Sequence, residues 1–180
     1  MAAPVLPATE PVRPREDATE EAFRGLIRTL GLIERAMQPY FARFGISGSQ
    51  WGVLRTLHRA AENGQVGLRL TDLSERLLIR PPSVTGVVDR LERMGLVQRD
   101  ASPTDLRAKQ VSLTEKGRKL LHRVLAVHRR QMDNVLGGLR LDERAQLHRL
   151  LDRLGHHLER LIEGGWIETD GSSGEETEPT

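Results

Sequence analysis

The sequence predicts a mainly α-helical chain with a small two-stranded β wing, and three observations carry that expectation. Apolar residues recur every three or four positions along most of the chain, the spacing of a helix face. At Gly95 that period gives way to two short β-prone runs, Leu96–Arg99 and Lys109–Leu113. Beyond the second run, Leu-Thr-Glu-Lys-Gly opens a new helical stripe with Thr114 placed to cap it.

A first long helix over about 21–43 follows from Phe23, Leu26, Ile27, Leu30, Ile33 and Met37. It would be roughly 35 Å long at about 1.5 Å per residue. A short helix with Leu70, Leu73, Leu77 and Leu78 comes later, with Thr71 as candidate N-cap and Asp72 and Glu75 in its first turn. Next, Val84, Val87, Val88, Leu91 and Met94 share one face of a helix over about 81–94, while Ser83, Thr85, Gly86, Arg90 and Arg93 lie mostly on the others. Pro81 and Pro82 suit its first turn, where backbone N–H groups have no intrahelical partner, and Gly95 suits the left-handed residue past its end. The segment Ala101–Ala108 holds turn formers and places Asp105 two residues before Arg107; if the tip is extended, both side chains can project from the same side of the ribbon. An arginine there can enter a narrow minor groove and a carboxylate can orient it; a solvated surface ion pair is the alternative. After Thr114 the stripe is Leu120, Leu121, Val124, Leu125, His128, Met132 and Val135. Gly137-Gly138 breaks it, and Asp142 opens a last helix with Leu147, Leu150, Leu151, Leu154, Leu158, Leu161 and Ile162. Helix, turn, helix and wing in this order predict a winged helix-turn-helix domain, over about 47–117, embedded in a helical dimerisation scaffold of about 21–43 and 114–164.

Several of these residues together resemble the MarR family of bacterial transcription regulators. They are Asp72-Leu73, Ser83-Val84-Thr85, Val88-Asp89-Arg90-Leu91-Glu92, Gly95-Leu96-Val97, Arg99, Asp105-Leu-Arg107-Ala, Val111-Ser-Leu113-Thr114 and Gly117. The similarity is densest over about 70–117. It implies that the helix beginning near Pro81 enters the major groove of double-stranded DNA, that Arg107 probes the minor groove and that Asp105 positions Arg107. Ser83 and Thr85 match positions that touch bases or phosphates, and Arg90 is expected to hold phosphate. Pro82 and Lys109 complete the expected DNA-binding set. Two departures stand out: Arg80 occupies a place where a small polar cap is usual, and Gly86 has no side chain where a longer polar one is common. Sequence preference is then expected to rest more on DNA shape, or on Arg80 itself, than on bidentate contacts.

Charge agrees with that partner once it is read by segment. The whole chain carries +2, but residues 1–20 and 165–180 are acidic. Between them, 25 Lys and Arg face 16 Asp and Glu, a basic body suited to phosphate. The ends, MAAPVLPATEPVRPRED and TDGSSGEETEPT, have the composition of disordered tails, so a single domain is expected over 21–164. No signal peptide or membrane-spanning run is expected, and the absence of cysteine excludes disulfides and fits a reducing cytoplasm.

The stripes of the first and last helices are too long for the wing domain of one chain to cover, which predicts a homodimer with two readers; a monomeric helical cap is the alternative. Two-fold symmetry then predicts a palindromic site with half-sites about one turn, or ~34 Å, apart. Four of the six aromatic residues, Tyr40, Phe41, Phe44 and Trp51, crowd into the join between the first long helix and the next, where the resemblance implies a cleft between scaffold and DNA lobe. Tyr40, Arg43, Phe44, Trp51, Arg55 and His58 are the candidate contacts for a small aromatic or anionic effector, with simple core packing as the alternative. The six histidines lack a His-Glu-x-x-His spacing, no phosphate loop follows a strand and no nucleophile elbow occurs, so no cofactor, metal or catalysis is expected. The expected function is a ligand-responsive repressor; a non-specific architectural DNA-binding or protein-interaction module is the other class.

Overall fold

A computed structural model of the chain describes residues 15–101 and 109–164. The described elements are α1 (Arg15–Ala42), α2 (Gly48–Glu62), α3 (Leu70–Leu77), α4 (Pro81–Arg93), β1 (Val97–Ala101), β2 (Lys109–Leu113), α5 (Glu115–Val135) and α6 (Leu141–Glu163). The chain divides into two compact units, Met1–Val135 and Leu136–Thr180, the division coming just before Gly137-Gly138.

In the first unit, α1 starts at Arg15 rather than near 21, so helix extends into the stretch expected to be tail. Residues 15–24 hold no glycine or proline, the residues least compatible with a helix interior. Glu20 adds an exposed pair with Arg24 at 3.5 Å. Only the C-terminal end of α1 is buried, through Met37, Tyr40 and Phe41. Ser47 then caps α2 reciprocally with Gln50: the Gln50 N–H donates to Ser47 Oγ at 3.2 Å and the Ser47 N–H to Gln50 Oε1 at 2.8 Å. With α2 so started, Val53, Leu54, Leu57 and Ala60 enter the core.

The start of α3 differs from expectation. Its N-cap is Arg69, whose N–H donates to Asp72 Oδ2 at 2.9 Å, so the carboxylate one turn on does the capping and Thr71 lies inside the helix. At the other end Leu78 adopts φ 52°, a left-handed cap that ends α3 and turns its side chain out to 87% exposure instead of into the apolar stripe. The α4 helix matches its expected bounds; Val84, Val87, Val88 and Leu91 are buried, Met94 is half-buried, and Gly95 is left-handed at φ 69°.

The strands pair antiparallel with Val97 opposite Leu113, Arg99 opposite Val111 and Ala101 opposite Lys109. A third, single-residue pairing joins Leu68 to Val111 by two backbone hydrogen bonds of 3.0 and 2.8 Å. Thr114 caps α5 as expected, its Oγ1 accepting from the Gly117 N–H at 3.0 Å. Gly117 is there for space: a Cβ would lie 2.0 Å from the Leu96 carbonyl oxygen. One core results, with Leu54, Leu73, Val88, Leu91, Val111, Leu121 and Val124 among its buried members.

In the second unit α6 opens at Arg140, whose N–H donates to Glu143 Oε2 at 2.8 Å, so Glu143 rather than Asp142 makes the cap. Leu150, Leu151, Leu154, Leu158 and Ile162 are each at least 38% exposed, as are Phe23, Leu26, Ile27, Leu30 and Ile33 of α1. Among the described residues, no helix is long and apolar enough to cross a membrane.

Candidate nucleic-acid interface

The outward face of α4 follows from the burial of its inward one. With Val84, Val87, Val88 and Leu91 fixed in the core, Pro82, Ser83 and Arg90 are exposed, and Thr85 and Gly86 are half-exposed. Arg80 is exposed at the N-cap and makes no side-chain cap hydrogen bond. A helix N-terminus ordinarily offers free backbone N–H groups to a phosphate. Here Pro81 and Pro82 have none, and the N–H groups of Ser83 and Val84 both donate to the Arg80 carbonyl, at 3.0 and 3.3 Å. Recognition at this end is therefore left to side chains. The Thr85 hydroxyl donates to the Pro81 carbonyl at 3.1 Å, which orients it and leaves its lone pairs as acceptors. A Cβ on Gly86 would meet nothing within 4 Å, so the glycine opens the helix surface there rather than relieving a contact within the chain.

The wing is tied to this helix by a bridge that sequence reading did not assign. Arg99 on β1 donates from one terminal nitrogen to Asp89 Oδ1 at 2.6 Å and from the other to Glu92 Oε2 at 2.5 Å. The Asp89 hydrogen bond pushes the pKa of Arg99 up against the opposing effect of burial, and the Glu92 charge adds to it. The signal was present as two carboxylates three apart on α4 and an arginine in the first strand, but nothing local in the chain says that they meet. The far end of α4 is also held: the Thr114 hydroxyl donates to the Gly95 carbonyl and the Lys116 ammonium to the Met94 carbonyl, both at 2.7 Å. Lys109 is exposed at the start of β2. Asp105 and Arg107 lie outside the described residues.

The six candidate ligand contacts separate. Tyr40 and Trp51 are core residues, 5% and 8% exposed, and their rings lie 6.0 and 4.9 Å from that of His128 on α5. The Tyr40 hydroxyl donates to the Val124 carbonyl at 3.2 Å. Burial pushes the pKa of Tyr40 up and that of His128 down, and the positive charge of Arg55 lowers His128 further. Phe44 is half-buried, meets Tyr40 edge-on at 5.5 Å and borders a cleft beside the start of α5. Arg43 is exposed. His58 sits elsewhere, with Nε2 3.3 Å from Glu62 and its ring edge-on to His122 at 5.7 Å.

Comparison with known proteins agrees with this arrangement. Residues 44–108 match the model of the MarR family. The chain is 31% identical to the uncharacterized HTH-type transcriptional regulator YkoM of Bacillus subtilis, over 72% of this chain and 92% of that protein. The chain belongs to the MarR family. Among solved structures, a mutant MarR from E. coli complexed with operator DNA superposes with a TM-score of 0.69 at 22% identity, covering 79% of this chain and 99% of that one. Bordetella bronchiseptica BpsR, whose DNA binding is regulated by 6-hydroxynicotinic acid, superposes at 0.66 and 24%, covering 75% and 98%. These two likenesses establish the shared winged-helix fold. As a MarR-family member the chain is a DNA-binding transcription regulator rather than an enzyme.

Proposed function

We propose that this MarR-family regulator is a cytoplasmic, ligand-responsive homodimer that represses transcription from a palindromic operator. The observation that carries the reading is α4 itself: its inward face is locked in the core while Arg80, Pro82, Ser83 and Arg90 stand exposed beside a wing bridged to it through Arg99. On this reading α4 lies in the major groove, Thr85 and the open surface at Gly86 face the bases, Arg90 and Lys109 hold phosphate, and Arg107, positioned by Asp105, reaches the minor groove. The exposed apolar stripes of α1 and α6 support pairing of two chains through a scaffold around the 47–117 reader. Ligand control is supported by the fold shared with BpsR. Repression follows if the bound dimer occupies promoter DNA.

Selection of bound duplexes from a random pool at fixed salt tests the reading. The expected product is an inverted repeat with half-sites about one helical turn apart. Arg107→Ala should weaken binding to it by about 1–3 kcal/mol. Absence of binding to any duplex at low ionic strength would overturn the proposal, and equal affinity for all sequences would favour an architectural role.

A further inference from the structure

We propose that Leu78, in the turn between α3 and α4, is a DNA contact whose side chain packs on the deoxyribose backbone at the rim of the groove that α4 enters. Among the described residues Leu78 is the one non-glycine residue with positive φ, at 52°, and it is 87% exposed. The turn requires a left-handed residue there, and glycine or asparagine supplies that conformation at lower cost. A leucine therefore adds strain that its own burial in the free chain does little to offset. Conformations held at a cost concentrate where a side chain must be presented to a partner.

Hydrogen bonds fix the turn on both sides of Leu78. Its N–H donates to the Glu75 carbonyl at 3.2 Å and the Ile79 N–H to the Ser74 carbonyl at 3.1 Å, while the Ser74 hydroxyl donates to the Ile79 carbonyl at 2.5 Å. Leu77 and Ile79 pack against the core, so the side chain between them is held outward. The surface it joins is continuous in the chain with the reading face of α4, because Arg80, Pro81 and Pro82 are exposed as well. With no amide at either proline, this corner presents the Arg80 cation amid apolar surface rather than a polar cradle. Such a corner suits the DNA backbone, where charged phosphates alternate with deoxyribose rings whose C–H edges accept apolar packing. Base edges are reached by the first residues of a recognition helix, whereas Leu78 lies three residues before α4 begins. This inference rests on the placement of α4 in the major groove proposed above.

Binding of full-length variants to the selected duplex and to a scrambled duplex, over a series of salt concentrations, tests the contact. Leu78→Asn and Leu78→Gly both suit the left-handed turn and should leave the urea midpoint no lower than in the wild-type chain. Each should weaken both duplexes by a similar factor of about fivefold to tenfold, the scale of losing part of a leucine's burial. The slope of log affinity against log salt should stay as it is, since no charge is removed. Leu78→Met, which restores an apolar side chain of similar volume, should bind within about twofold of wild type. Unchanged affinity in the Asn and Gly variants overturns the contact, as does a Met variant as weak as they are. A loss confined to the selected duplex puts the side chain on base edges and overturns the backbone assignment. A wild-type chain that binds neither duplex overturns the placement of α4 itself, before any Leu78 variant is compared.

Discussion

Leu78 is in a conformation that an L-residue with a bulky side chain adopts only at a cost, and at 87% exposure its side chain recovers little by burial. Leu78→Gly should therefore raise stability by about 0.5–1 kcal/mol, the relieved strain outweighing the added freedom of the unfolded chain. A urea midpoint that moves down instead would show that the side chain holds the turn. His128 sets a second test. Its folded pKa lies below the ordinary value of 6.5, through burial first and Arg55 second, so below pH 6.5 the unfolded chain takes up a proton that the folded one resists. Stability contributed by the neutral ring is present above that pH and lost as pH falls toward the lowered value. Melting temperature should fall between pH 7 and 5, and His128→Phe should flatten that slope; an unchanged slope would assign the acid sensitivity to other groups. At this scale the sequence was legible where a signal is local. Pro81, Pro82 and Gly95 bound α4, and Thr114 caps α5, because each acts on its immediate neighbours. It was not legible where the partner is remote: Tyr40 and Trp51 are open in the sequence to a pocket reading beside the commoner one of simple core, and only the nearness of His128, on another helix, places their rings.

The Arg99 bridge makes helix and wing one mechanical element. Its two hydrogen bonds are charge-assisted and partly shielded, the Arg99 side chain being 21% exposed. Arg99→Met should cost about 1–2 kcal/mol, kept modest because Asp89 and Glu92 retain solvent contact. Amide hydrogen exchange should quicken across Val97–Ala101 and Lys109–Leu113 while α2, capped by Ser47 and Gln50, stays protected. Uniform protection in the variant would show that the strands are held by the core alone. Both strands were foreseeable from the change of period after Gly95. The pairing of Leu68 with Val111 was not, since a one-residue contact so far along the chain leaves no periodicity to read. The early start of α1 is not legible for the opposite reason: residues 15–24 lack helix breakers but share their polar composition with a solvated tail.

For the whole molecule, the proposed dimer makes the most direct prediction. Phe23, Ile27 and Leu30 on α1 are 61%, 55% and 64% exposed, more apolar surface than a single helix face ordinarily leaves in water. Leu30→Glu, and separately Leu154→Glu on α6, should yield monomers in sedimentation at micromolar concentration and lose most operator affinity. A wild-type chain that sediments as a monomer would remove the basis for two-fold recognition. These stripes were plain in the sequence because an amphipathic helix declares its face by spacing, whereas what covers that face is set by another surface. The proline-sealed start of α4 has an evolutionary corollary. With the main chain there supplying no amide to the phosphates, the proposed reader recognises DNA through exchangeable groups at Arg80, Ser83, Thr85 and Gly86. Paralogues descended from this scaffold can thus acquire new target promoters by swapping a few solvent-facing positions, while the helix end that carries them stays intact.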